Sequence, residues 1–101
     1  MPLPWSSGHV VLIGDAVHAT TPHLGAGACI GIEDAIVLAQ ELERQDTLAS
    51  VVKSFETRRW GRCRMVVENS LRLGEIEVTN GDRVEHAEIM RNSVMALAEP
   101  I

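Results

Sequence analysis

The alternation of apolar and polar positions divides the chain into one short strand-like run and three helical ones. Residues His9–Ile13, "HVVLI", set four apolar residues in a row. That run suits a strand buried on both faces, as in the centre of a parallel sheet. From Gly27 to Arg44 a largely buried helix is predicted, because Ile30, Ile32, Ala35, Ile36, Leu38, Ala39 and Leu42 cover more than one face. Glu33, Asp34, Gln40, Glu41 and Glu43 form its polar side. A second helix is expected from Leu48 to about Glu77, with Leu48, Val52, Phe55, Cys63, Val66 and Leu73 at roughly helical spacing. Gly61 or Gly74 would bend or break it. A third helix runs to about Ala98 and places Val84, Ala87, Met90, Val94 and Leu97 on one face.

The residues between these runs support the division. "MPLPWSSG", residues 1–8, reads as irregular chain, and residues 14–25 as a loop in which Pro22 blocks helix before it. Asp46 or Thr47 is a candidate N-cap, and Asp82 with Glu85 resembles a capping box after the turn Thr79–Asp82. The lone strand poses a difficulty, since its N–H and C=O groups need neighbours. The only other candidate strand is "EIEVT", Glu75–Thr79. The expected fold is therefore mainly α with one short N-terminal β-strand. Either another chain supplies the sheet, or this is the C-terminal part of a larger α/β protein. Residues 1–46 (strand, loop, helix) and 47–101 (helical region) are the expected divisions.

Composition narrows the partners. Of 101 residues, 46% are hydrophobic and 3% aromatic, so the core must be mostly aliphatic. A net charge of −5 argues against nucleic acid and anionic membrane as partners. No run approaches the ~20 apolar residues of a membrane span, and no signal peptide is visible, so a cytoplasmic location is expected. Cys29 and Cys63 fit no metal spacing and are expected to be reduced thiols. Arg58, Arg59, Arg62 and Arg64 read as a solvated face with Glu56 and Glu68 in reach. The apolar stripe of the third helix would pack on its neighbour or, in a possible homodimer, on a second copy.

The candidate chemistry lies in "VVLIGDAVHATTPHLGAGAC", Val10–Cys29. Asp15 follows the strand end, where open α/β sheets bind ligands, and an ionised Asp can only accept hydrogen bonds, which suits ligand hydroxyls. Gly14 permits a sharp turn and close approach. Gly25-Ala26-Gly27 opens a helix whose free N–H groups favour an anion or an electron-rich oxygen. A ligand with a polyol and an electron-rich ring or phosphate would use both ends. The same residues also suit a tight turn, a helix cap and a structural histidine. Asp15, His18 and His23 form no recognised metal spacing, and no metal is expected.

Residues Gly14–Leu42 resemble the Gly-Asp motif region of the class A FAD-dependent aromatic hydroxylases, the p-hydroxybenzoate and salicylate hydroxylase type. The matches are Gly14, Asp15, Ala16, His18, Pro22, Gly25, Gly27, Glu33, Asp34, Ala35, Leu38 and Ala39. Trp5 to Gly8 and Phe55–Cys63 also fit the family's run. Val17 stands where a second Ala is usual, and Cys29-Ile30 where Gly or Asn and then Met or Gln are common.

The resemblance implies FAD as cofactor. Asp15, within Gly14-Asp15-Ala16, would take the ribityl hydroxyls. Pro22 would lie beside the isoalloxazine ring. The N–H groups near Gly27, Ala28 and Cys29, in the helix start that opens at Gly25, would face the pyrimidine end. The resemblance further implies a monooxygenase that uses NAD(P)H and O₂ to hydroxylate a phenol-like substrate. No residue here is implied as a general acid or base, so none is assigned as catalytic. The family's G-x-G-x-x-G fingerprint and D-G motif are absent from these residues. The expectation is a C-terminal part of such an enzyme, lacking the N-terminal FAD and substrate region and inactive alone. The alternative is a non-catalytic helical interaction module.

Overall fold

A computed structural model describes residues 3–20 and 27–101. The chain first turns back on itself: β1 (Ser6–Ser7) and β2 (Val10–Val11) pair antiparallel, with Ser6 opposite Val11 and Ser7 opposite Val10. Gly8, at φ 57°, takes the left-handed turn between them. The Leu12 N–H donates to the Trp5 carbonyl at 2.8 Å. The strand expected over 9–13 thus shortens to Val10–Val11, and its partner comes from the stretch expected to be irregular. A connection this short can only join antiparallel strands. Val10 is 63% exposed, so this pair is not the centre of a buried parallel sheet among the described residues.

Among the described residues four helices follow: α1 (Asp15–His18), a single turn within the expected loop, then α2 (Gly27–Arg44), α3 (Leu48–Thr79) and α4 (Arg83–Leu97). Thr47 caps α3 by accepting from Ser50 N at 3.2 Å. Asn80, at φ 53°, ends it, and the Gly81 N–H closes on the Ile76 carbonyl at 2.8 Å. Asp82 Oδ1 accepts from Val84 N at 2.8 Å and Glu85 N at 3.4 Å, capping α4. The Glu85 carboxylate turns to Arg72, at 2.7 and 3.0 Å. Neither Gly61 nor Gly74 breaks α3, and Glu75–Thr79 is its last turn rather than a strand. Packing along a long helix outweighs the propensity cost of about 1 kcal/mol for each glycine.

The core joins the N-terminal hairpin to α2 and α3. Trp5, Val37 and Phe55 are buried together, with Ile13, Val17, Leu38 and Trp60 packed around them. The Trp5 and Phe55 rings meet edge to face, with centroids 6.0 Å apart. Ile30 and Val66 form a second cluster with Met65 and Leu97.

Three expectations about faces are corrected. On α2 the "polar side" is partly the buried one: Asp34 and Glu41 are buried, while Ile32 (63%), Ile36 (44%) and Leu42 (56%) are exposed. The cause lies on α3, where Arg59 and Arg58 pair with those carboxylates at 2.7 and 2.9 Å. The four arginines are accordingly not one solvated face. Arg59 is fully buried, and Arg62 binds Glu33 and the Ala96, Leu97 and Glu99 carbonyls at the end of α4. Of the group, Arg64 is the exposed one, paired with Glu68 and lying over the Trp60 ring. On α4, Val84 and Val94 are exposed and Ser93 is buried, its Oγ accepting from Asn69 at 2.8 Å. Of the expected apolar stripe, Val84, Ala87 and Val94 are therefore exposed, while Leu97 packs at Ile30 and Val66. No described helix is long and apolar enough to cross a membrane.

Candidate functional site

The Gly-Asp loop is held by one buried carboxylate. Asp34 lies in the middle of α2 and is inaccessible to solvent. Its Oδ2 accepts the Gly14 N–H at 2.9 Å and lies 2.5 Å from His18 Nε2. Its Oδ1 accepts Arg59 Nε at 2.7 Å and the Cys63 thiol at 3.6 Å. Arg59 Nη2 goes on to the Ile30 carbonyl at 3.2 Å and Glu33 Oε1 at 3.0 Å. A buried carboxylate is tolerated when its charge and lone pairs are met in this way.

The charges fix each other. Burial disfavours the protonated ring of His18, but its hydrogen bond to Asp34, with support from Cys63, raises the pKa from 6.5 to about 10. Burial likewise opposes ionisation of Asp34, yet His18, the Gly14 N–H and Arg59 hold its pKa down at about 2. At neutral pH the pair is imidazolium and carboxylate. His18 Nδ1 and Arg59 Nη1 find no partner among the described residues.

Glycines set how closely the loop approaches α2. Gly14 adopts φ 62°, ψ −141°, a region that is strained for residues with a side chain. A Cβ on Gly31 would lie 3.7 Å from Gly14 Cα, and a Cβ on Gly27 would lie 3.0 Å from Thr20 Cγ2. The first distance is ordinary van der Waals contact, and the second is tight, so of the two it is Gly27 at which a side chain would press on the loop.

This clamp leaves the predicted ligand-facing groups outside. Asp15 and Ala16 are exposed at the start of α1, and Gly14 is half-buried behind them. Gly27 is half-buried, and Ala28 and Cys29 are exposed in the first turn of α2, where N–H groups have no intrahelical acceptor. Pro22 and Gly25 lie outside the described residues, as do Ala26 and His23. Asp15 and His18 do not converge, since His18 turns inward to Asp34. His18, Asp34 and Cys63 bring one ligand atom each within 4.8 Å of one another, with the Arg59 guanidinium sharing the same carboxylate.

Sequence reasoning missed Arg59 and Gly31, and gave Asp34 no role in the site. The signal for Arg59 was its register: positions 55, 59, 63, 66, 70 and 73 are all buried along α3, so Arg59 continues the inward stripe. The Asp34 carboxylate is its counterpart on α2.

Residues 2–70 match a family model described as FAD binding domain. An FAD-dependent monooxygenase of Stachybotrys chartarum is 39% identical over 80 residues, covering 74% of this chain and 17% of its own length. The aurachin C monooxygenase/isomerase of Stigmatella aurantiaca is 39% identical over 72 residues, covering 71% of this chain and 19% of its own length. An FAD-dependent urate hydroxylase of Klebsiella oxytoca is 38% identical over 74 residues, covering 73% and 19% respectively. This chain spans about a fifth of the length of the curated relatives it matches. No solved structure matches significantly.

Proposed function

The chain belongs to the FAD binding domain family, and from that membership we propose that its Gly-Asp loop and the start of α2 form the ribityl and isoalloxazine side of an FAD site in a monooxygenase. The donor set suits that ligand. Asp15 is an exposed acceptor at one end, and the first turn of α2 has N–H donors without intrahelical acceptors at the other. When bound, FAD supplies the redox chemistry, accepting reducing equivalents from NAD(P)H and using them on O₂.

The protein's share is binding and electrostatics. Asp15 accepts from ribityl hydroxyls, and Gly14 and Ala16 keep side chains out of the way. Pro22 lies beside the ring, and Gly25 belongs with the glycine-rich approach to α2. The N–H groups near Gly27, Ala28 and Cys29, at the positive end of α2, stabilise negative charge at the pyrimidine end. The substrate is a small, phenol-like aromatic. Residues 1–46 are the end of the FAD-binding domain, within an α/β (Rossmann-like) fold, and 47–101 are a helical region packed on it. Further polypeptide covers Ile32, Ile36 and the β2 edge, completes the FAD and substrate sites, and is needed for activity. The observation that carries this reading is that Asp34 and His18 clamp the Gly-Asp loop onto α2 while Asp15, Ala28 and Cys29 stay exposed.

The test is an NMR titration of the full chain with FAD, FMN and riboflavin, which detects weak binding through amide shifts. Shifts are expected at Asp15, Ala16, Gly27, Ala28 and Cys29. The three ligands should bind alike, because the adenylate would be gripped elsewhere. Asp15→Ala is expected to weaken binding about tenfold, or about 1.4 kcal/mol, in the range of hydrogen bonds to charged groups. Flavin-induced shifts that fall elsewhere and spare these amides, or an affinity unchanged by Asp15→Ala, refute the reading.

A further inference from the structure

We propose that Asp34, fixed by Arg59 and gripping Gly14 and His18, is the positioning residue that holds both walls of the flavin site in register; this rests on the flavin reading above. Both groups on Asp34 Oδ2 belong to the Gly-Asp loop, and they bracket Asp15. The Gly14 N–H precedes it, at 2.9 Å, and His18 Nε2 closes the same helical turn, at 2.5 Å. The direction in which Asp15 projects is therefore set by a carboxylate on another element. The second oxygen is taken by Arg59 of α3, at 2.7 Å, which fixes the rotamer that Asp34 must hold.

Arg59 extends the same unit to the other wall. Its Nη2 donates to the Ile30 carbonyl at 3.2 Å, in the first turn of α2, where the N–H groups of Gly27, Ala28 and Cys29 have no intrahelical acceptor. One buried ion pair thus ties the acceptor end of the site to the donor end. Gly14 faces Gly31, and Gly27 lies close against the Thr20 side chain, beside the ion pair that sets the direction. None of these three side chains touches the ligand in this reading. They act through Asp15 and the start of α2.

The experiment compares the full chain with Asp34→Asn, His18→Leu and His18→Gln. FAD affinity comes from the NMR titration, corrected for the folded fraction measured by circular dichroism. Asp34→Asn and His18→Leu are expected to lower the FAD affinity of the folded chain about tenfold. His18→Gln, which keeps a donor for Asp34, should recover much of that loss. Amide exchange should accelerate across residues 14–18 in the impaired variants. In combination with Asp15→Ala, His18→Leu should add less than about twofold, because both act through the same hydrogen bonds. If Asp34→Asn does not fold, the His18 pair decides. Unchanged FAD affinity in the folded His18→Leu chain, with Asp15→Ala impaired, overturns the positioning role and leaves the flavin reading standing. Losses that multiply in the double variant also overturn it. If Asp15→Ala itself has no effect, the flavin reading falls, and this inference with it.

Discussion

At the scale of single residues, the buried pair predicts how stability follows pH. His18 has its pKa raised from 6.5 to about 10 in the fold. Its contribution is complete below 6.5, declines as pH rises, and is gone above about 10. Asp34 is shifted the other way, from 3.8 to about 2, so its contribution is complete above 3.8 and is lost as pH falls towards 2. Melting temperature should be highest between these limits and fall on both sides. His18→Gln should flatten the alkaline limb, and an unaltered limb would show that His18 is not charged in the fold. Asp34→Ala should cost about 3–5 kcal/mol in urea unfolding, because it strands two buried cations. Arg59→Met in the same chain should return part of that loss. These residues show why the site was only half legible in the sequence. Asp15 and the glycines are candidates in the sequence because their chemistry is local: a carboxylate after a strand, bare backbone before a helix. The partners that hold them come from 16 and 25 residues away from Asp34, as the separations to His18 and Arg59 show. A charged residue in an inward stripe looks solvated until its counterion is placed.

At the scale of elements, boundaries were readable where a side chain does the capping. Thr47 and Asp82 hold the positions expected of them, and α2 spans the stretch its periodicity marked. Asp82→Ala should cost about 1 kcal/mol, read as a lower melting temperature and faster amide exchange at Val84 and Glu85. Arg64→Ala, which breaks an exposed pair, should change stability by less than about 1 kcal/mol. Equal losses in the two variants would mean that the cap contributes nothing beyond surface charge. Faces were less readable than boundaries. On α2, apolar residues lie on both sides, so periodicity alone could not say which side meets α3. That choice is made by Asp34 and Glu41 meeting Arg59 and Arg58. The strand was misjudged for a related reason. Four apolar residues in a row describe burial on two faces, and the described residues supply only a two-residue partner, Ser6–Ser7.

At the scale of the whole molecule, the apolar surface is unevenly covered. Single exposed aliphatic residues are ordinary, but Ile32 (63%), Ile36 (44%) and Leu42 (56%) share the side of α2 turned away from α3. Ala28, Ala35 and Ala39 are exposed on the same helix. Val10 (63%) and Leu12 (45%) add exposed apolar surface on the N-terminal hairpin. A helix side this apolar, on a chain that spans about a fifth of its relatives' length, is what a larger FAD domain would cover. The isolated chain should therefore bind a hydrophobic dye such as ANS and associate as its concentration rises. Ile32→Lys with Ile36→Lys should suppress both, and should leave the melting temperature nearly unchanged because neither side chain supports the α2–α3 core. Dye binding that survives the double substitution would move the open surface to the exposed Val84 and Val94 of α4, the helix expected to pack on its neighbour or on a second copy. A marked fall in melting temperature would instead mean that this side of α2 is already packed in solution, so that the ion pairs alone do not decide which side meets α3.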